Sequence, residues 1–276
     1  MNPKLLLEQH DLQPKKSLGQ NFLHDPHVLE KIVSVAEVGP GDRVLEIGPG
    51  TGLLTAHLAD IASEVVAVEL DTRLKPILDA QFAGRPNVRV IWDDILNVDV
   101  DPLFEGRDYI VVANVPYYIT SAILKHLLER EHKPRRIILT VQLEVAERVA
   151  AKPNDMSLLA VSVQFFGRPH MAGKLNPAVF WPRPDVESAL LRIDVYPEPP
   201  VDVPDVKTFF RVVRAGFGQK RKQLKNSLGS GLQLNAEQLA AVSTASGVDL
   251  TRRAETLTLA EWAALTRAYV AVSSKL

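Results

Sequence analysis

The chain has 276 residues, enough for one large domain or two smaller ones, and its 46% hydrophobic and 24% charged residues exclude wholesale disorder and fibrous repeats. Cysteine is absent, which excludes a disulfide framework and a thiolate site, and no apolar run is long enough to span a membrane, so we expect a cytoplasmic protein without a membrane partner. The net charge is −1, but residues 201–276 hold 11 basic and 6 acidic side chains, whereas the preceding 200 residues hold 21 and 27, which makes the C-terminal part distinctly basic.

Short apolar runs alternate with helical patterns through most of the chain, as in βαβ units that build a mostly parallel sheet. Near-continuous Val, Ile and Leu, typical of buried parallel strands, occur at 43–47, 64–70, 88–92, 109–113 and 136–141. Helices are predicted at 53–62, 72–82, 121–131 and 143–151. Two later stretches, 157–166 and 187–195, are predicted to extend the sheet as strands.

A proline-rich segment then interrupts this pattern. Residues 197–204 contain four prolines, which a helix interior or a central strand does not accommodate, so we predict a semi-rigid linker. The pattern beyond the linker is helical, at 206–216, 220–228, 236–246 and 259–272. The sequence therefore predicts an α/β domain with a predominantly parallel sheet at 1–196 and a small all-helical domain at 205–276.

A glycine-rich turn follows the first buried strand and opens a helix, with Gly48, Gly50 and Gly52 at alternate positions. Glycines in such a turn let a ligand approach the backbone, and the helix N-terminus offers free N–H groups. The spacing G-x-G-x-G differs from the dinucleotide fingerprint G-x-G-x-x-G, which weakens the case for a bound pyrophosphate. A tight turn without a ligand is the structural alternative.

Carboxylates close the next two strands. Glu69 is placed to accept both hydroxyls of a ribose, a feature that enzymes using NAD and enzymes using S-adenosylmethionine share. Asp93 and Asp94 follow the third strand, where a carboxylate is placed to accept a hydrogen bond from an adenine amine. We favour Asp94 because it lies one step further outside the strand, although either aspartate is also suited to cap a turn.

The tetrapeptide Asn114-Val115-Pro116-Tyr117 follows the fourth strand, at the edge of an α/β sheet where ligands bind. It suits methylation of an adenine amine, whose lone pair is delocalised into the ring. The Asn114 side-chain oxygen and the Pro116 carbonyl are the predicted acceptors that draw this lone pair out of conjugation. Tyr117 is predicted to stack on the purine, and the base must be unpaired or flipped out to reach the pocket.

Six basic residues lie within fifteen positions that hold no acidic residue: Arg211, Arg214, Lys220, Arg221, Lys222 and Lys225. A concentrated excess of this kind on a helical segment favours contact with RNA phosphates, although a solvated charged face is the alternative. The seven histidines show no metal-ligand spacing, so no metal is expected.

The ordered motifs resemble one known family over nearly the whole chain. The motifs that carry the resemblance lie at 16–23, 46–52, 68–71, Asp94, 114–120, 180–189 and 217–224. In these motifs the chain resembles the ribosomal RNA adenine N6,N6-dimethyltransferases of the KsgA (RsmA) type. Val115 is a departure, because family members often carry Leu there, and we expect no change in chemistry from it.

The resemblance implies a Rossmann-like domain that uses S-adenosylmethionine as cofactor, followed by a helical RNA-binding domain. Its cofactor-binding residues, with Gly50 added from the glycine turn, are Asn21, Leu23, Gly48, Gly50, Glu69, Asp94 and Asn114. The segment around Asn21 is expected to fold over the cofactor. Asn114 and Tyr117 are expected to hold the target adenine, with Phe180 on its opposite face.

The implied reaction converts two adjacent adenosines near the 3′ end of small-subunit (16S) rRNA to N6,N6-dimethyladenosines, with a role in small-subunit biogenesis. The implied partner is 16S rRNA within the small subunit or its precursor, and we expect a monomer. Three alternatives stay open: a large-subunit rRNA adenine methyltransferase of the antibiotic-resistance type, a non-catalytic ribosome-assembly factor, and a nicotinamide-dependent oxidoreductase. The glycine spacing counts against the oxidoreductase, and the intact tetrapeptide counts against a non-catalytic protein.

Overall fold

The computed structural model describes residues 2–219 and 221–274, so the predicted RNA contact at Lys220 lies outside the described residues. Nine strands are found there: β1 Phe22–Leu23, β2 Arg43–Ile47, β3 Glu64–Glu69, β4 Val88–Trp92, β5 Ile110–Asn114, β6 Arg136–Gln142, β7 Gly167–Leu175, β8 Phe180–Trp181 and β9 Ser188–Val195. The α-helices in the same residues are α1 Pro3–Glu8, α2 Pro26–Ala36, α3 Leu53–Ala59, α4 Lys75–Phe82, α5 Thr120–Leu128, α6 Leu143–Val149, α7 Leu158–Gln164, α8 Val206–Phe217, α9 Leu224–Leu232, α10 Ala236–Ser246 and α11 Leu259–Ser273.

Seven of the strands form one mixed sheet in the order β4-β3-β2-β5-β6-β9-β7. Strands β4, β3, β2, β5 and β6 run parallel, and β9 runs antiparallel to β6, with Arg136 opposite Asp194. The interior strands are almost wholly buried, which explains their continuous apolar sequences. The predicted α/β class with a predominantly parallel sheet is confirmed.

The connections position a ligand crevice at the centre of this sheet. From β2 the chain proceeds to β3 and β4 on one side, and from β5 it proceeds to β6 on the other side. The carboxyl ends of β2 and β5 are therefore adjacent where the connections diverge, which is the point at which open α/β sheets bind ligands.

One predicted strand is wrong. The stretch 157–166 forms helix α7, whose first turn is capped by the Ser157 side chain accepting from the Ala160 N–H at 3.1 Å. A short apolar run without clear periodicity fits a buried helix as well as a buried strand, and here the Ser157 cap starts a helix. The strand in this region is β7, immediately after the helix.

The chain divides into two compact units. The first comprises the chain up to Ala146 with Arg168–Val195, and the second comprises Glu147–Gly167 with the chain from Tyr196 onward. The segment 147–167, which the sequence analysis assigned to the first domain, thus belongs to the second unit. Hydrogen bonds hold it there, because the Asn154 and Met156 N–H groups both donate to the Glu255 carbonyl.

The second unit is helical around an aromatic core. Phe165 stacks on Phe209 with ring centroids 4.5 Å apart, and Trp262 lies so close to Gly216 that a Cβ there would meet its ring at 2.3 Å. The predicted helices at 206–216, 236–246 and 259–272 are confirmed. The helix predicted from residue 220 begins only at Leu224, which leaves Arg221 outside it.

Residues 197–204 contain no helix or strand. Their role as a linker stays a prediction. Within residues 2–219 and 221–274, none of the helices has the length and apolar character needed to cross a bilayer.

Candidate active site

A cavity opens at the carboxyl ends of β2, β3, β4 and β5. It brings together nine of the residues singled out from the sequence: Asn21, Leu23, Gly48, Gly50, Glu69, Asp94, Asn114, Pro116 and Tyr117. These residues come from five separate segments of the chain. Their convergence makes this cavity the candidate active site.

The glycine turn forms one wall of the cavity and depends on left-handed backbone. Gly48, Gly50 and Gly52 have φ of +70°, +59° and +79°, which side-chain-bearing residues rarely adopt. A Cβ at Gly50 would meet the Phe22 ring at 3.0 Å, whereas the nearest atom to a Cβ at Gly48 is the Asn114 carbonyl oxygen at 3.8 Å. The backbone at Gly48 therefore stays open to a ligand.

Glu69 is held rigidly at the end of β3. Its Oε2 accepts from the Gly50 N–H at 3.0 Å, and its Oε1 accepts from the Asp71 N–H at 2.8 Å. Burial raises the pKa of the Glu69 carboxyl, and these two N–H donors oppose the rise. The two N–H donors fix the carboxylate in place. Each oxygen retains a lone pair, which can accept a hydrogen bond from a ligand hydroxyl.

Asp94 lies further along the same wall and is half-buried, whereas Asp93 is exposed. Its Oδ1 accepts from the Leu96 N–H at 3.0 Å, which leaves Oδ2 for a ligand amine. The carboxylate therefore serves as a turn cap and keeps one oxygen for a ligand, so the two roles weighed from the sequence are compatible.

Glu46 also lines the cavity and was not singled out from the sequence. It is 1% exposed, and its Oε2 has no hydrogen-bond partner among the residues that the structure describes. Burial raises the pKa of Glu46 to about 8; the Thr55 hydroxyl opposes this rise, and the Glu69 carboxylate adds a smaller increase. A buried unpaired acceptor is costly unless a ligand satisfies it, and a glutamate inside an otherwise apolar strand was the sequence signal for it.

Asn114 joins the tetrapeptide to the N-terminal segment. Its Nδ2 donates to the Asn21 carbonyl at 2.9 Å, across 93 residues of sequence. With the nitrogen engaged, the side-chain oxygen is the amide atom that remains to accept a hydrogen bond. The Pro116 carbonyl accepts from the Ile119 N–H at 3.2 Å and has one lone pair left.

The N-terminal segment lies over the cavity because several contacts hold it there. Strand β1 pairs with β8, and the Gln20 Nε2 donates to the Asp71 Oδ2 at 2.8 Å. Asp71 is held in turn by the Arg73 guanidinium, with Nη2 to Oδ2 at 2.6 Å. The segment that carries Asn21 and Leu23 is thus fixed against the glycine turn.

Tyr117 lines the cavity, and its hydroxyl lies 2.6 Å from the Ser188 Oγ. Burial raises the pKa of the Tyr117 phenol, so its hydroxyl is neutral. Its neighbour Tyr118 is 68% exposed. Ser188 was not singled out from the sequence, although it lies within the motif at 180–189.

Phe180 lies apart from these residues. It is 2% exposed, belongs to an apolar cluster of the first unit and pairs with Leu23 in the β1–β8 ladder. The structure thus places Phe180 in the core behind the cavity lining. Its predicted contact with the target adenine stays a prediction.

Of the six basic residues predicted to contact RNA, the structure describes Arg211, Arg214, Arg221, Lys222 and Lys225, and all five are exposed. Arg211 and Arg214 lie on the face of α8 opposite its buried phenylalanines. Arg252 and Arg253 of the same unit form salt bridges with Glu261 and Glu255, but in the described part of the chain none of the five exposed cations does.

Residues 2–219 and 221–274 contain no group of His, Asp and Glu side chains arranged to hold a metal ion.

Comparison with known proteins agrees with this geometry. The profile of the ribosomal RNA adenine dimethylase family matches residues 12–266. The chain is 44% identical to the ribosomal RNA small subunit methyltransferase A of Moorella thermoacetica, over 95% of this chain and 94% of that one. It is 41% identical to the protein of that name from Dehalococcoides mccartyi, over 96% of this chain and 92% of that one.

Solved structures show the same fold. The 23S rRNA methyltransferase ErmE superposes with a TM-score of 0.73 at 29% identity, covering 91% of this chain and 100% of that one. A dimethyladenosine transferase from Plasmodium falciparum superposes with a TM-score of 0.74 at 22% identity, covering 91% and 98%. The family profile spans most of the chain, and the relatives match it almost end to end, so the chain belongs to the ribosomal RNA adenine dimethylase family.

Proposed function

We propose that this protein transfers methyl groups from S-adenosylmethionine to N6 of two adjacent adenosines near the 3′ end of small-subunit (16S) rRNA, giving N6,N6-dimethyladenosines. The observation that carries the proposal is the position of Asn114. Its amide is fixed by Asn21 in the same cavity as Glu69, Asp94 and the glycine turn. Membership of the family and the names of the relatives point to the same reaction.

The cavity suits an adenosyl sulfonium ligand. Glu69 would accept hydrogen bonds from the ribose hydroxyls of this ligand, and Asp94 would accept one from the amine of its adenine. The open backbone at Gly48 would leave room for the ligand. The unpartnered oxygen of Glu46 is a buried acceptor that a bound ligand would satisfy. When bound, S-adenosylmethionine supplies an electrophilic methyl group.

The residues of the tetrapeptide prepare the accepting amine. The Asn114 oxygen accepts one N6 hydrogen, which draws the nitrogen lone pair out of the purine ring. The second acceptor is the remaining lone pair of the Pro116 carbonyl. These groups align nitrogen with the methyl carbon, and most of the rate enhancement comes from this alignment and the fixed dipoles.

Tyr117 stacks on one face of the flipped adenine, with Phe180 on the opposite face as the family resemblance implies. The exposed cations of the second unit, together with Lys220, bind RNA phosphates. We propose that the protein acts as a monomer in the cytoplasm on the small subunit or its precursor.

Methyl transfer from labelled donor to under-methylated small subunits tests the proposal, with mapping of the modified nucleotides. We expect label on two adjacent adenosines near the 3′ end of 16S rRNA. Modification of large-subunit rRNA in a parallel reaction would support the alternative that the likeness to ErmE keeps open. Tight binding to small subunits without any transfer would support a non-catalytic assembly factor.

A further inference from the structure

We propose that Ser188 is a positioning residue for the reaction, which holds the Tyr117 ring by its hydroxyl so that the ring presents its face to the target adenine. The proposal rests on the proposed function, since it concerns how the adenine is held. It assigns a role to a residue of the motif at 180–189 that lies outside the lining of the cavity.

The contact itself is short and sheltered from water. The two hydroxyl oxygens are 2.6 Å apart, and Ser188 is 0% exposed, while Tyr117 is half-buried at the cavity wall. Each hydroxyl serves as donor or acceptor for the other. A buried hydroxyl that loses its partner is costly, so the ring is strongly restrained in this orientation.

Ser188 is a rigid anchor because the sheet holds its backbone. It is the first residue of β9 and lies opposite Gln142 at the end of β6. The preceding residue is held as well, since the Glu187 carbonyl accepts from the Leu143 N–H at 3.0 Å. The ladder between β6 and β9 therefore fixes the Cα and Cβ of Ser188, and the bond to Tyr117 selects the rotamer of its hydroxyl.

The other end of Tyr117 is fixed by its turn. Pro116 restricts the backbone before it, and the Pro116 carbonyl closes the turn by accepting from the Ile119 N–H. The turn leads directly into α5 at Thr120. What the turn leaves free is rotation of the tyrosine side chain, and the bond to Ser188 removes that freedom before the adenine arrives.

Holding a stacking ring in advance matters because misalignment at a reacting centre lowers the rate more than it lowers affinity. The proposal therefore predicts an effect on kcat for RNA methylation. A merely structural role for the hydrogen bond would lower the stability of the fold and leave kcat unchanged.

A double-mutant cycle separates these roles. Ser188→Ala, Tyr117→Phe and the double variant are each assayed for kcat and KM with under-methylated small subunits, for donor affinity by calorimetry and for stability in urea. We expect each single variant to lower kcat by about 3- to 10-fold, the double variant to lower it no further, and donor affinity to stay unchanged.

Tyr109→Phe is the matched control. It removes another buried tyrosine hydroxyl, which donates to the His132 carbonyl at 3.3 Å beside the opposite end of β5. We expect it to lower stability and leave kcat unchanged.

Unchanged kcat in both single variants, or additive losses in the double variant, would overturn the proposal. If Ser188→Ala fails to fold, the kcat of Tyr117→Phe alone tests the proposal, since this variant also breaks the bond and retains the ring. Failure of the proposed function gives a different result, in which the unchanged protein itself transfers no methyl groups to under-methylated small subunits.

Discussion

The cavity of the first unit and the basic surface of the second unit use charge in opposite ways. In the cavity, Glu46 and Glu69 are buried carboxyls, and Glu69 is fixed by backbone N–H groups. On the second unit, cations such as Arg214 and Lys222 are exposed and lack salt bridges within the described residues. Buried, fixed groups select one ligand by geometry, whereas exposed mobile cations attract any polyanion and are screened by salt.

This difference predicts that substitutions in the two regions impair different properties of the protein. Changes in the cavity should alter rate or stability with little dependence on salt. Changes on the basic surface should weaken RNA binding in proportion to the number of phosphate groups that the protein no longer neutralises.

The largest effect is expected from Asn114→Ala, which removes the amide that accepts the adenine amine. We expect kcat for methyl transfer to fall by about 100- to 1000-fold, as for loss of a fixed transition-state partner. Single-turnover transfer from labelled donor measures it, with urea unfolding to verify the fold. Asn97→Ala, on an exposed turn, is the control and should retain full activity. Near-normal turnover in Asn114→Ala contradicts the acceptor mechanism.

The next effect is expected on RNA affinity. Reversal of Lys220, Arg221 and Lys222 to Glu should weaken binding to small-subunit RNA by about 100-fold in low salt and flatten its salt dependence, while donor affinity stays unchanged. Filter binding over a salt series measures both quantities.

The control for net charge is reversal of Lys4, Lys75 and Arg107, which form salt bridges with carboxylates on the first unit. It changes the total charge equally and should retain most of the affinity. Equal losses in the two triple variants would mean that net charge alone governs binding.

A smaller effect is expected from Tyr117→Ala, which removes the stacking ring. Stacking of a base on an aromatic side chain contributes about 1–3 kcal/mol, so the rate should fall by about 5- to 150-fold. Donor affinity measured by calorimetry should change much less. A loss confined to donor affinity would place Tyr117 against the donor and not against the adenine.

The smallest effect concerns stability and pH. The Glu46 carboxyl has a pKa of about 8 in the folded protein against 4.5 as the ordinary value, so between these pH values the folded state binds a proton that the unfolded state has lost. The free energy of unfolding should therefore fall as pH rises, by at most about 1.4 kcal/mol per pH unit, and the fall should end above pH 8.

Glu46→Gln removes this contribution, so its stability should decline less between pH 6 and pH 8 than that of the unchanged protein. Urea unfolding at both pH values measures the difference. The exposed Glu105→Gln is the control and should follow the unchanged protein. Identical declines in Glu46→Gln and the unchanged protein would show that the buried carboxyl is ionised throughout.

The amino-acid sequence by itself determined the parallel sheet and most of the cavity. Buried parallel strands require continuous apolar residues, and alternate glycines are needed where φ is positive at Gly48, Gly50 and Gly52. Carboxylates and amides that follow such strands necessarily meet at one edge, which is why Glu69, Asp94 and Asn114 were found from local patterns alone.

Only the tertiary structure decided the contacts between distant segments. The Asn114 amide bonds to Asn21 across 93 residues, and Tyr117 bonds to Ser188 across 71, and no local pattern encodes such pairs. The burial of Phe180 was also decided by packing, because a lone aromatic residue is compatible with several environments. Local chemistry thus specifies which groups can act, and packing specifies which of them are held together.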